Sequence, residues 1–126
     1  MRQAVIIDDM DADRFFLRRQ IRKAFPDCDI KEFAYATEAM SYLKTPARDT
    51  IDVIFVDINM PRMDGFAFAD AFDSLYAEIK GSTRLFIVSS SINPDDEEVA
   101  DTHPAIAGFI LKPTSAEVLK DIAAQV

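Results

Sequence analysis

"IDVIFVDINMPRMDG", residues 51–65, decides the fold. Its first half is an apolar run from Ile51 to Val56, solid from Val53 onward. A run this short and rich in Val and Ile reads as a strand buried on both faces of a parallel sheet. The run stops at a carboxylate, Asp57, and a loop follows that closes on Asp64-Gly65. That last pair is turn and helix-start chemistry. A buried strand that delivers a charge to its end, then a turn, then a helix, is one βα unit with something to hold at its tip.

The same plan recurs on either side. "AVIIDDMDADR" (4–14) carries Val5–Ile7 into Asp8 and Asp9, "LFIVSSS" (85–91) ends its run in Ser89, and "GFILKP" (108–113) leads straight into Lys112. "CDIKEF" (28–33) alternates in part, and "GFIL" is short, so both suit outer strands. Helical stripes separate the runs: Leu17, Ile21 and Ala24; Ala36, Ala39, Met40 and Leu43; Phe68, Phe72, Leu75 and Ile79; Leu119 and Ile122. Asp11, Asn93 before Pro94, and Thr114 mark helix starts. The reading is β1 3–8, α1 12–25, β2 28–33, α2 37–45, β3 51–57, α3 65–79, β4 84–89, α4 94–102, β5 107–111 and α5 115–125.

Five consecutive βα units predict an α/β fold: a doubly wound, five-stranded parallel sheet with helices on both faces. Right-handed crossovers and one reversal give the order 2-1-3-4-5. Ligands of such sheets bind beyond the carboxyl ends of the strands at the switch point, here between β1 and β3. Asp8, Asp9, Asp57, Ser89 and Lys112 all fall on that rim.

Composition narrows the function. The 126 residues suit one domain, 49% of them hydrophobic and 29% charged. A formal charge of −8 argues against nucleic acid, whose phosphates select Lys and Arg surfaces. No apolar run approaches the ~20 residues of a membrane span, and acid interrupts the N-terminal run too early for a signal peptide. The single cysteine, Cys28, excludes an intramolecular disulfide and suits a reducing cytoplasm. With only three glycines, the chain has no Gly-rich phosphate loop for nucleotide hydrolysis.

The electrostatics of the rim point further. Two carboxylates ~5 Å apart repel by roughly 3 kcal/mol at an effective dielectric of ~20. Lys112 offsets part of this, and a divalent cation offsets more. Oxygen-only ligands in a small site favour Mg²⁺ or Mn²⁺, usually with waters and a phosphate. Asp8 and Asp9 then form the metal end of a phosphoryl-transfer site. Asp57, held against the metal, is placed to attack a phosphoryl group and form an aspartyl-phosphate. Metal and Lys112 would neutralise the transferring oxygens.

Together these elements resemble the receiver domain of two-component response regulators, of the single-domain, chemotaxis-regulator-like kind. The resemblance rests on "DD" at 8–9, "DINMPRMDG" at 57–65, Ser89, Phe109 and "KP" at 112–113, and spans essentially the whole chain. It implies a flavodoxin-like sheet and one receiver domain over residues 1–126 with no output domain. It also implies that Asp57 is the phospho-acceptor and that Asp9 ligates Mg²⁺ directly while Asp8 acts more through water. The backbone carbonyl of Asn59 adds a further ligand, and Lys112 contacts the phosphoryl group across a cis Lys112–Pro113 bond. Ser89 hydrogen-bonds the attached phosphoryl group, and Phe109 reorients with it to switch the α4–β5–α5 face. The implied partners are a sensor histidine kinase or a histidine-phosphotransfer protein and a separate protein effector, with no nucleic acid and no membrane. The implied role is a cytoplasmic phosphorelay component rather than a turnover enzyme.

Ser89 stands where Thr is frequent in that family, Phe109 carries no hydroxyl, and Pro104 limits α4. Phe109 also reads as plain core. Two other functions fit parts of the pattern. A pseudo-receiver would use the fold only to bind protein, but here the acceptor, acids, hydroxyl and lysine are all intact. An Asp-nucleophile phosphatase of the haloacid dehalogenase type would carry its nucleophile after the first strand, whereas Asp57 follows the third. His103, before Pro104, reads as a solvated loop residue. Met40, Met60 and Met63 read as packing or loop residues, and Cys28 as inert. At 100° per residue, Phe15 lies nearly opposite Leu17, Ile21 and Ala24, toward solvent, with Phe16 on the flank. By the resemblance, Phe15 meets the phosphodonor's helix.

Overall fold

The computed structural model describes residues 1–75, 83–90 and 93–124. Its elements are β1 (Gln3–Ile7), α1 (Asp11–Ala24), β2 (Asp29–Phe33), α2 (Ala36–Leu43), β3 (Ile51–Asp57), α3 (Gly65–Leu75), β4 (Arg84–Ser89), α4 (Pro94–Thr102), β5 (Ile106–Leu111) and α5 (Ala116–Ala124). All strands pair in parallel, in the order β2-β1-β3-β4-β5. The expected doubly wound sheet is therefore present, with β2 and β5 outermost.

Strand alternation divides the interior into two cores. Val5, Ile7, Ile54, Val56, Leu85 and Ile87 face α2, α3 and α4, where they meet Leu43, Phe68, Phe72 and Ala100. Ala4, Ile6, Val53, Phe55, Phe86, Val88 and Ile110 face α1 and α5, where they meet Leu17, Ile21 and Leu119. Each fully buried Ile, Leu, Val or Phe contributes about 1.5–3 kcal/mol, so the inner strands hold most of the fold's stability. Among the described residues, no helix is long and apolar enough to cross a membrane.

Several local expectations are corrected. Asp11 does not cap α1: the helix starts one residue early, Met10 takes the cap position, and Asp11 falls inside the first turn, paired with Arg14. Thr114 does not cap α5 either. It lies one residue too early and is buried, while Ser115 Oγ accepts the Val118 N–H at 3.2 Å. Asn93 does cap α4, its Oδ1 accepting from Asp95 N–H at 3.0 Å. His103 is not a solvated loop residue. Its side chain is 12% exposed, its Nδ1 accepts the Ala105 N–H at 3.0 Å, and its Nε2 meets Asp70 Oδ1 of α3 at 2.6 Å. α2 ends at Leu43, and a 3-10 turn over Pro46–Thr50 carries the chain to β3. Ile79, and α3 beyond Leu75, lie outside the described residues, as does residue 125 of the expected α5.

Candidate phosphoryl-transfer site

Register and alternation assemble the site. Ile7 pairs with Val56, so Asp8 and Asp57 emerge level from adjacent strands. Asp57 pairs with Val88, Ser89 pairs with Leu111, and Lys112 follows at once. Side chains alternate faces along a strand. Asp8 follows the parity of Ile6, Asp57 that of Phe55, and Lys112 that of Ile110, all of which face α1 and α5. Ser89 has the opposite parity, as does Phe109, which packs against the core under α2–α4. The charged groups thus gather on one face, while the hydroxyl and the aromatic ring sit on the other.

The charged cluster is tight. Carboxylate oxygens of Asp8, Asp9 and Asp57 all lie within 4.8 Å of one another. Lys112 Nζ donates to Asp8 Oδ2 at 2.6 Å, to Asp13 Oδ2 at 3.0 Å and to Asp57 Oδ1 at 3.3 Å. Burial pushes the Asp57 carboxyl above the usual carboxylate range; Lys112 opposes the shift, and the charges of Asp8 and Asp9 add to it. For Lys112, burial favours the neutral amine, but the hydrogen bonds to Asp8 and Asp13 and the carboxylate charges outweigh it and raise its pKa, so it remains an ammonium. The three acids form an all-oxygen, hard donor set that fits Mg²⁺ or Mn²⁺. Asn59 lies in the loop two residues past Asp57, with its residue exposed.

The loop after β3 is shaped to hold Asp57 in place. Met63 N–H bonds back to the Pro61 carbonyl at 2.9 Å, and Arg62 takes φ +72°, a γ-turn. A non-glycine residue at positive φ costs on the order of 1–3 kcal/mol. The Arg62 guanidinium lies 4.6 Å from the Tyr35 ring centroid, which offsets part of that. Asp64 Oδ1 then accepts from Ala67 N–H at 2.8 Å and starts α3, as the Asp-Gly pair predicts. Gly65 is required by space: a Cβ there would sit 2.6 Å from the Asp57 carbonyl oxygen.

The residues expected from the sequence are therefore distributed as follows. Asp8, Asp9, Asp57 and Lys112 converge. Ser89 is buried at 2% exposure, and Phe109 is half-buried in β5. Lys112–Pro113 is cis. Phe15 is 50% exposed beneath Arg18 and Arg19, while Phe16 lines a cleft of about 340 Å³ with Asp8, Asp13, Asp57, Lys112 and Thr114. Cys28 is buried, which pushes its thiol pKa up and keeps it protonated.

Two site residues were missed. Asp13 reaches Lys112 from the first turn of α1, and Arg14 Nη1 donates to the Asp8 carbonyl at 2.6 Å, pinning α1 to the end of β1. Their signal was available: an acid and a base in the opening turn of a helix that starts on the reactive rim.

The comparisons with known proteins agree with this geometry. A profile of the response regulator receiver domain matches residues 4–124. The sensor histidine kinase CheAY of Helicobacter pylori is 29% identical over 116 residues, 92% of this chain but 14% of that protein. The structure of a response regulator receiver protein from Dyadobacter fermentans superposes with a TM-score of 0.88 at 26% identity, covering 99% of this chain and 97% of that one. Chemotaxis protein CheY4 of Vibrio cholerae shares the fold with a TM-score of 0.79 at 24% identity, covering 100% of this chain and 98% of that one.

Proposed function

The chain belongs to the response regulator receiver domain family, and from that premise we propose that it takes a phosphoryl group on Asp57 from a phosphohistidine donor in the presence of Mg²⁺. Members of this family are signalling modules rather than turnover enzymes, and no observation favours the pseudo-receiver alternative. The observation that carries the reading is the contact of Lys112 Nζ with both Asp8 and Asp57 on the rim where three carboxylates meet.

In this reading an Asp57 carboxylate oxygen attacks phosphorus in line with the donor nitrogen. The P–N bond breaks, its electron pair returns to the imidazole, and a mixed carboxylic–phosphoric anhydride forms at Asp57. Lys112 donates to a phosphoryl oxygen and neutralises charge that develops there. Asp8, Asp9, Asp57 and the carbonyl of Asn59 would hold the cation, which when bound supplies further charge neutralisation on the transferring oxygens. Hydrolysis by water breaks the P–O bond and regenerates the carboxylate.

Ser89 and Phe109 carry the signal outward. Both have the parity of the α2–α4 face, so a hydroxyl drawn to the phosphoryl group pulls on the side of the sheet away from the charged cluster. Val99 of α4, Leu111 of β5 and Val118 of α5 are each more than 40% exposed, an apolar output surface suited to a protein effector. A sensor histidine kinase or histidine-phosphotransfer protein would dock by α1, and a cytoplasmic site of action suits the reduced Cys28.

The test is incubation with acetyl phosphate and Mg²⁺ followed by intact-mass measurement. The wild type gains one phosphoryl group, and Asp57→Asn gains none while remaining folded. Labelling of Asp57→Asn would overturn the assignment, and absence of labelling in the wild type would favour a binding-only module.

A further inference from the structure

The three partners of Lys112 are not equivalent. Its bonds to Asp8, at 2.6 Å, and Asp13, at 3.0 Å, are shorter than its bond to Asp57, at 3.3 Å. Asp8 also belongs to the acid cluster with Asp9 and Asp57, whereas Asp13 lies outside it. The Asp13 side chain is 43% exposed against 6% for Asp8 and 12% for Asp57, so it approaches the ammonium from the open, α1 side of the site.

We propose that Asp13 is a positioning residue that holds Lys112 back from Asp57 and thereby sets both the rate of phosphoryl uptake and the lifetime of the product. The proposal rests on the phosphotransfer reading above. An ammonium has three N–H groups, and all three are engaged here. To donate to a phosphoryl oxygen, Lys112 must redirect the bond that reaches Asp57. How closely it then approaches depends on the pull of the other two partners. Asp8 shares its charge with a bound cation, but Asp13 does not. A neutral residue at position 13 therefore frees the lysine toward the acceptor.

Uptake and hydrolysis are both in-line displacements at phosphorus with charge on the equatorial oxygens, so a better-placed Lys112 speeds both. Two simpler effects of Asp13 would behave differently. A negative charge at the entrance repels an anionic donor but not neutral water, so its removal speeds uptake alone. A first-turn acid that only complements the α1 dipole would be matched by Asp11, which lies in the same turn, is 92% exposed at its side chain and pairs with Arg14 instead.

The experiment compares wild type, Asp13→Asn, Asp13→Glu and Asp11→Asn. Uptake from acetyl phosphate with Mg²⁺ and loss of the label after donor removal are followed on phosphate-affinity gels. Asp13→Asn speeds both by about fivefold, the rate equivalent of ~1 kcal/mol. Asp13→Glu stays near wild type, and so does Asp11→Asn. In ¹⁵N spectra taken without donor, the Lys112 ammonium protons exchange faster in Asp13→Asn alone. Faster uptake with an unchanged lifetime, or equal effects of Asp11→Asn and Asp13→Asn, overturns the proposal. If the wild type takes no label, the parent reading fails and takes the kinetic claim with it. The ammonium signal then still decides whether Asp13 holds the lysine.

Discussion

Replacing Asp9 with Asn should make the protein more stable without metal and less stable with it. Asp9 sits within 4.8 Å of the Asp8 and Asp57 carboxylates. At an effective dielectric of ~20, each such pair repels by roughly 3.5 kcal/mol. Lys112 directs its three hydrogen bonds to Asp8, Asp13 and Asp57, so Asp9 receives none of them. Asp9 is the most open of the three acids, and solvent screening reduces the gross repulsion to about 1–2 kcal/mol net. In a domain of this size that corresponds to a rise of about 4–8 °C in Tm. The wild type should gain about 2.7 kcal/mol, or about 10 °C, when free Mg²⁺ exceeds its dissociation constant a hundredfold. Asp9→Asn keeps the side-chain shape but loses the charge, so most of that gain should disappear. Thermal unfolding followed by circular dichroism, in chelator and then in saturating Mg²⁺, reads both effects. The two melting curves should exchange order between conditions. A variant that melts at or below wild type in chelator and retains the full Mg²⁺ shift would refute both the repulsion and the ligand role.

Four further outcomes follow from the same geometry. Because burial raises the Asp57 carboxyl pKa in the folded state, its ionised form opposes folding above that pKa, and the opposition fades as pH falls toward the ordinary carboxylate range. Metal-free Asp57→Asn should thus be more stable than wild type at neutral pH, with the gap closing on acidification; a pH-independent gap would count against the linkage. Gly65→Ala forces a Cβ to within 2.6 Å of the Asp57 carbonyl, so it should cost about 2–3 kcal/mol in denaturant titration and weaken Mg²⁺ binding, and an unperturbed variant would show that the loop yields freely. Ser89→Ala should accept phosphate yet show smaller NMR shifts on the α4–β5–α5 face, and a full response would return Phe109 to a plain core role. Phe15→Ala, losing an aromatic that is 50% exposed, should slow transfer from a phosphohistidine protein at least severalfold while leaving acetyl phosphate labelling unchanged; equal rates from the protein donor would remove Phe15 from the docking surface.

The fold and most of the site were legible in the linear chain because their signals are local. Strands buried on both faces must be continuous apolar runs, so Val53–Val56 and Leu85–Val88 announce inner strands, and the polar residue that ends each run must lie at the rim. Helices must show an apolar stripe, which places Leu17 and Ile21 against the sheet without reference to any partner. From those elements the order 2-1-3-4-5 and the convergence of Asp8, Asp9, Asp57 and Lys112 follow. Tertiary structure decided the rest, because it depends on angles and distances between elements that periodicity does not encode. Only the packed helix shows that Asp13, five residues past Asp8, competes for Lys112 at 3.0 Å. Only the approach of α4 to α3 turns His103 from a loop residue into a bridge to Asp70. Whether Thr114 or Ser115 caps α5 turned on a single residue of helix phase, about 100° of rotation, which no propensity resolves. Side-chain type is written in the chain, but the partner that each charged group finds is set by how the helices settle on the sheet.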